Sequence, residues 1–235
     1  MRIFPGIDIV GGKCVRVIQG SRDYKDYGDP LKWALKWQEL GAECIHIIDL
    51  DAAMSDDRSN YPLVKEIVKS LKIPVQFGGG IRSRDAVKRC FEDLGISRIV
   101  MGTMALENLD EVARARSVYG DRIVVSIDAR DGKVAYKGRK DMSEIDAADF
   151  ALTVHEAGVD SIIYTDILRD GTLDGPNLER TEEIIKRTWM NVFVSGGIHT
   201  IDDIVGIRGT GACGAIIGRA LYENTIDFTQ ALMLK

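Results

Sequence analysis

Short apolar, β-branched runs recur along the chain. They alternate with stretches in which apolar residues return every three or four positions. The first pattern predicts buried strands and the second amphipathic helices. Eight strands are predicted, at 3–9, 44–49, 75–77, 98–101, 123–128, 161–165, 192–195 and 214–217. Helices are predicted at 29–40, 61–70, 84–94, 109–119, 147–157, 178–188, 201–208 and 227–234. Start signals precede several of them: Asp29 before Pro30, Asn60 ahead of Pro62, Ser83 before Arg84 and Asn177 before Leu178. A short polar side chain there accepts a hydrogen bond from the first turn. Gly41, Gly95, Gly120, Gly158 and Gly209 supply left-handed stops. Regular alternation of strand and helix predicts a parallel sheet of the α/β class.

The pattern is also doubled. Gly6-Ile7-Asp8 leads to Gly12-Lys13, and 120 residues later Ser126-Ile127-Asp128 leads to Gly132-Lys133. Gly79-Gly80-Ile81 returns as Gly196-Gly197-Ile198, and Val100-Met101-Gly102 as Ile216-Ile217-Gly218. Two matched halves of four strand–helix units close naturally into a (β/α)8 TIM barrel, whereas an open doubly wound sheet gains nothing from two-fold repetition. No Pro/Gly/Ser-rich linker divides residues 1–235, so one barrel domain is expected. The longest connections, near 10–28 and 129–145, follow strands one and five. They fall on the face where barrel active sites form.

Composition narrows the chemistry. The net charge of −5 argues against a nucleic-acid or anionic-membrane partner, and no apolar run approaches membrane-spanning length. Cys14, Cys44, Cys90 and Cys213 form no Cys-x-x-Cys pair, which suits a reducing cytoplasm. His46, His155 and His199 are too scattered to suggest a metal site. Neither a metal nor an organic cofactor is expected, and the first strand carries no dinucleotide-binding fingerprint.

Asp8 and Asp128 end strands one and five, so a barrel would place them across one mouth, where two carboxylates can share acid and base work. Gly80 with Arg82, and Gly102 with Thr103, follow strands three and four. Gly197, then Gly218 with Arg219, follow strands seven and eight. Glycine turns that open helices let backbone N–H groups approach an anion, so two phosphate cradles are predicted, one at each end of a bisphosphorylated small molecule. Thr165 ends strand six and is placed to bond a neighbouring carboxylate. Asp170, in Asp170-Gly171-Thr172, is either a second acid or an ordinary turn residue. Asp49 and Asp51 are expected near the pocket, His46 in the interior, and Trp33 and Trp37 on one helix face against the barrel.

Pro5-Gly6-Ile7-Asp8, Gly12-Lys13, Val15-Arg16, Gln19-Gly20, Asp49-Leu50-Asp51, Gly78-Gly79-Gly80-Ile81-Arg82, Asp170-Gly171-Thr172 and Ser195-Gly196-Gly197-Ile198 resemble the ProFAR isomerases of histidine biosynthesis. The resemblance covers essentially the whole chain. It implies a (β/α)8 barrel that turns a bisphosphorylated aminoaldose into its ketose by an Amadori rearrangement. It also implies Asp8 as base and Asp128 as acid, with Thr165 and Asp170 supporting and Arg16 and Gly171 among the substrate-binding positions. The related cyclase carries Cys and Lys where this chain has Gly6 and Arg16, which favours the isomerase. One position departs: Arg139 stands where the isomerases usually place a Trp. A guanidinium stacks on a flat ring or pairs with a carboxylate, which leaves open a dual-substrate enzyme acting also on phosphoribosyl anthranilate. A non-catalytic phosphosugar-binding barrel is the alternative of another class. A monomer in the cytoplasm is expected.

Overall fold

Each predicted strand is present in the computed structural model, which describes residues 1–17 and 24–234. The barrel strands are β1 (Arg2–Val10), β2 (Ile45–Asp49), β3 (Val75–Gly78), β4 (Arg98–Met101), β5 (Ile123–Arg130), β6 (Ser161–Asp166), β7 (Asn191–Ser195) and β8 (Gly214–Ile217). Every neighbouring pair is parallel, and β8 returns to β1 through Arg2↔Gly214 and Pro5↔Ile217. The ring is therefore closed, and β1 and β5 face each other across it.

The hairpins that follow β1 and β5 were not anticipated from the sequence. After β1 the chain makes two antiparallel strands, Lys13–Val17 and Tyr24–Gly28. After β5 it makes two more, Lys133–Tyr136 and Asp141–Asp146. Both hairpins extend strands at equivalent points of the repeat. Their outer strands are largely polar, so they lack the apolar alternation that would have flagged them. Short helices also open directly after the glycines that follow β4 and β8, at Thr103–Glu107 and Arg219–Tyr222.

Period-two alternation splits the core into two layers. Phe4, Val100, Val124, Ile163, Phe193 and Ile216 point into the barrel, joined by Cys44 just ahead of β2. The larger cluster, including Ile3, Ile47, Phe77 and Ile99, packs the strands against the helices. Three predicted helix starts use their side chains as expected: Asp29 accepts from Leu31 N, Ser83 from Ala86 N and Asn177 from Arg180 N. Asn60 is different and makes no side-chain cap, because its amide is engaged elsewhere. Gly41, Gly95, Gly120 and Gly158 take positive φ, but Gly209 stays inside its helix, and Gly211 makes the left-handed turn instead.

Trp33 and Trp37 stack at 5.3 Å on the helix Pro30–Glu39. Both rings meet Tyr222, at 4.7 and 5.8 Å, and Trp37 also meets Phe228. This aromatic cluster joins the first helix to the segment after β8 and so clasps the seam of the barrel. Trp37→Ala should remove about 3–5 kcal/mol of stability, read from the urea midpoint. A loss under about 1 kcal/mol would mean that the seam does not depend on this contact.

Candidate active site

The C-terminal ends of the barrel strands surround a cavity of about 790 Å3. Asp8, Arg16, Gly80, Arg82, Gly102, Thr103, Asp128, Thr165, Asp170, Gly171, Gly197, Gly218 and Arg219 all line it. Gln19-Gly20 lies outside the described residues.

Each of the two facing aspartates is held by an arginine from its own hairpin. Arg16 Nη1 donates to Asp8 Oδ2 at 2.5 Å, and Nη2 donates to the Gly6 carbonyl. Arg16 is 8% exposed, and its guanidinium lies 4.7 Å from the centre of the Tyr222 ring. The Tyr222 hydroxyl donates to the same Gly6 carbonyl at 2.8 Å. Burial lowers the Arg16 pKa, but the Asp8 charge, with Tyr222 and Cys14, outweighs burial and leaves it raised. Removing one partner of so buried a pair would strand the other charge, at a cost of about 3–5 kcal/mol.

Arg139 plays the corresponding part across the mouth and reaches further. Its Nε and Nη2 donate to Asp128 at 3.1 and 3.3 Å, and Nη1 donates to Asp170 Oδ2 at 2.6 Å. It therefore bridges both candidate acids. Burial lowers its pKa, but Asp128 and then Asp170 outweigh that and raise it. The residue arrives on a tight strap: Lys137, Gly138 and Arg139 have φ of 52°, 66° and 66°. The Lys137 N–H donates to Thr103 Oγ1 at 2.9 Å, which pins the strap to the opening of the Thr103–Glu107 helix. Of the two contacts open to Arg139 on sequence grounds, the structure contains the pairing with carboxylates. Thr165 lies in register with Asp128 and Ser195, but among the described residues it makes no hydrogen bond to either acid.

The glycine turns repeat in conformation as well as in sequence. Gly80 and Gly197 have φ of 66° and 79°. Gly102 takes φ −100° and ψ −88°, and Gly218 takes −103° and −103°. Neither short helix that follows has a side-chain cap. Among the described residues, the N–H groups of Gly80, Gly102, Thr103, Gly197, Gly218 and Arg219 have no acceptor. A Cβ on Gly197 would lie 2.4 Å from the Gly175 carbonyl oxygen, so this turn also needs glycine for close packing. The two turn arginines are less free than the sequence implied. Arg82 Nη2 donates to the Ala53 carbonyl at 2.5 Å. Arg219 donates to the Gly171 carbonyl at 2.6 Å and pairs with Glu223 at 3.0 Å.

Asp49 and Asp51 do not line the cavity. Asp49 is fully buried and accepts from Ala52 N and Asn60 Nδ2, while Asp51 accepts from Gly11 N and Asn60 Nδ2. Asn60 Oδ1 in turn accepts from Gly12 N at 2.9 Å. The group latches the loop after β2 to the turn that opens the first hairpin. The second half repeats its core, with Asn177 Nδ2 donating to Asp166 Oδ2 at 2.7 Å. Both Asp49 to Asp166 and Asn60 to Asn177 are 117 residues apart, the offset already seen for Gly80 and Gly197. That offset was the signal that would have found the latch.

His46 is interior, as expected, and Gln76 Nε2 lies 3.0 Å from its Nδ1. Burial, then Arg16 and Arg98, push its pKa down to about 3.

The family model described as "Histidine biosynthesis protein" matches residues 2–227. The chain belongs to this family. It is 43% identical to a Clostridioides difficile protein over 100% of this chain and 98% of that one. It is 44% identical to one from Ruminiclostridium cellulolyticum, covering 99% of each. It is 45% identical to one from Thermosynechococcus vestitus, over 99% of this chain and 92% of that one. All three are named 1-(5-phosphoribosyl)-5-((5-phosphoribosylamino)methylideneamino)imidazole-4-carboxamide isomerase. No helix among the described residues is long and apolar enough to cross a membrane.

The buried His46 sets a pH dependence. Its folded pKa lies below the unfolded value of 6.5, so the stability it contributes is present above pH 6.5 and is lost as pH falls towards 3. The unfolded chain takes up that proton first. Burial raises the Asp49 pKa, and that residue works in the opposite direction at lower pH. In urea unfolding at pH 7 and pH 5, His46→Leu should lose about 2 kcal/mol less on acidification than the parent protein. Equal losses would show that His46 is not kept neutral.

Proposed function

We propose that the chain is an aldose–ketose isomerase acting on the bisphosphorylated aminoaldose that its relatives' names specify. This is the activity of the ProFAR isomerases of histidine biosynthesis, which the sequence resembles. The observation that carries this reading is the bracketing of two facing aspartates by two copies of one glycine-turn pair, each with unused N–H groups. In the proposed roles, one phosphate is held by Gly80, Arg82, Gly102 and Thr103, and the other by Gly197, Gly218 and Arg219. Backbone N–H groups supply most of each grip, because both arginines also serve loop carbonyls. Anchoring both ends of the substrate places its reacting ribose over β1 and β5, which converts remote binding energy into orientation.

Asp128 protonates the ribose ring oxygen, and the C1′–O4′ bond breaks to leave a protonated Schiff base. Asp8 then removes the C2′ proton to give the enol-amine. The enol proton is lost and C1′ gains one, which yields the ketose, so no atom is added or removed overall. Arg139 must release Asp128 for that first transfer, and Asp170 remains its second partner during the release. Arg16 stays on Asp8 and orients the base. Thr165 sits between Asp128 and Ser195 in the strand register and shapes the floor under the sugar. The Arg139 guanidinium is already held by two carboxylates, and no observation favours a carboxylate-bearing second substrate over the imidazole one.

Asp8→Asn should reduce kcat on the aminoaldose by at least about 10²-fold with little change in substrate affinity, because it removes the base and leaves both phosphate grips. Wild-type turnover in that variant would overturn the assignment. Calorimetric binding without conversion by the unaltered protein would instead favour a phosphosugar-binding barrel.

The two grips are separable. At Gly102 a Cβ would lie 2.7 Å from Ser126 Oγ, and at Gly218 it would lie 3.2 Å from Arg16 Cζ. Gly102→Val and Gly218→Val should each raise KM at least about tenfold. If only one of them did so, a substrate with a single phosphate would be indicated.

A further inference from the structure

The opposite end of the barrel holds a second recess, of about 620 Å3, with different chemistry. Its walls include the first residues of four strands: Arg2 of β1, Arg98 of β4, Ser161 of β6 and Asn191 of β7. Trp189, 87% exposed, stands at its rim. The Arg2 and Arg98 guanidinium carbons lie 4.8 and 5.4 Å from the centre of one ring, that of Phe193. Phe193 stacks on Phe4 at 5.2 Å and plugs the barrel above them.

These two cations lack carboxylate partners, although Arg98 is partly buried and Arg2 is exposed at the rim. Among the described residues, neither is ion-paired to a carboxylate, and Arg98 Nη1 is buried with no hydrogen-bond acceptor. The two carboxylates on the rim, Asp121 and Asp160, are both paired with Arg116. Arg122, also on the rim, directs its donors to the Ser97 and Ile96 carbonyls at 3.0 and 2.8 Å. Burial, and then the neighbouring Arg2 charge, lower the Arg98 pKa. Two like charges meet against one aromatic ring, and the dry unused donor of Arg98 is costly without an anion to accept from it. Guanidinium forks match the oxygens of a tetrahedral anion, and a Ser hydroxyl and an Asn amide in the wall add neutral donors.

We propose that this recess is a binding site for a phosphate-class oxyanion, gripped by Arg2 and Arg98 at the floor of the barrel. It is separate from the catalytic mouth and does not depend on the isomerase reading. Its occupant ties the start of β1 to the start of β4 and stabilises the folded chain by mass action. The ligand is either free phosphate or a small organic phosphate monoester.

The test titrates the intact protein with inorganic phosphate, and separately with glycerol 3-phosphate, at constant ionic strength. The arginine side-chain Nε–H resonances report on each site individually. The Arg2 and Arg98 signals should shift together along one saturating curve. Arg98→Met should weaken the curve read at Arg2 by at least about tenfold and leave turnover unchanged, and Arg2→Met should do the same to the curve read at Arg98. Tighter saturation by glycerol 3-phosphate would support the proposal with a monoester as the ligand. Tighter saturation by inorganic phosphate would support it with the free ion. Signals that stay still, or that drift linearly without saturating, would mean an adventitious ion only and overturn the proposal. An Arg2 curve unchanged in Arg98→Met would overturn it as well.

Discussion

Closure of eight parallel strands is the constraint on which the rest of this molecule depends. In a closed parallel ring every strand ends on the same rim, so residues far apart in sequence meet there without any special contact between them. Asp8 and Asp128 face each other because β1 and β5 are four strands apart in a ring of eight. The glycine turns after β3, β4, β7 and β8 fall on opposite sides of that rim for the same reason. The chemistry of the mouth follows from position in the ring, and the side chains then refine it.

That refinement is mostly done by cations. Arg16 and Arg139 are both partly or wholly withdrawn from water, and each is compensated by carboxylates at hydrogen-bonding distance. Arg16 is further fixed by Tyr222, which Trp33 and Trp37 hold in turn. A route of direct contacts thus runs from the outer face of the first helix to the first aspartate. The second aspartate is held differently. Its arginine rides on three consecutive residues with positive φ, a backbone state that costs free energy at Lys137 and Arg139 and is offset by the two ion pairs. On one side of the mouth an arginine serves one carboxylate, and on the other an arginine is shared between two.

Much of this was readable beforehand, because the strong signals were periodic. Buried strands, amphipathic helices and the half-chain repeat all depend on many residues agreeing, so the barrel and the two aspartates could be placed from the sequence. The misses had local causes. The hairpin strands Tyr24–Gly28 and Asp141–Asp146 are mainly polar and are held by backbone pairing, which leaves no apolar alternation to detect. Asn60 carries a sound helix-start signal, yet its amide serves Asp49, Asp51 and Gly12, and that competition is decided in three dimensions. Asp49 and Asp51 were expected at the pocket because they end a strand, but the same latch draws them beneath the loop. The pairing of Arg139 with two acids from different strands has no trace in local spacing at all.

The β8–β1 seam has a consequence for how the chain is made. β1, Arg2–Val10, finds one of its two parallel neighbours in Gly214–Ile217, more than two hundred residues later. Until that last strand emerges, one edge of β1 and the apolar lining of Phe4 and Ile7 remain without their final cover. Contacts of such separation slow folding and leave a sticky edge exposed during translation. The same join that gives the finished barrel no edges makes its nascent form dependent on a strand made more than two hundred residues after β1.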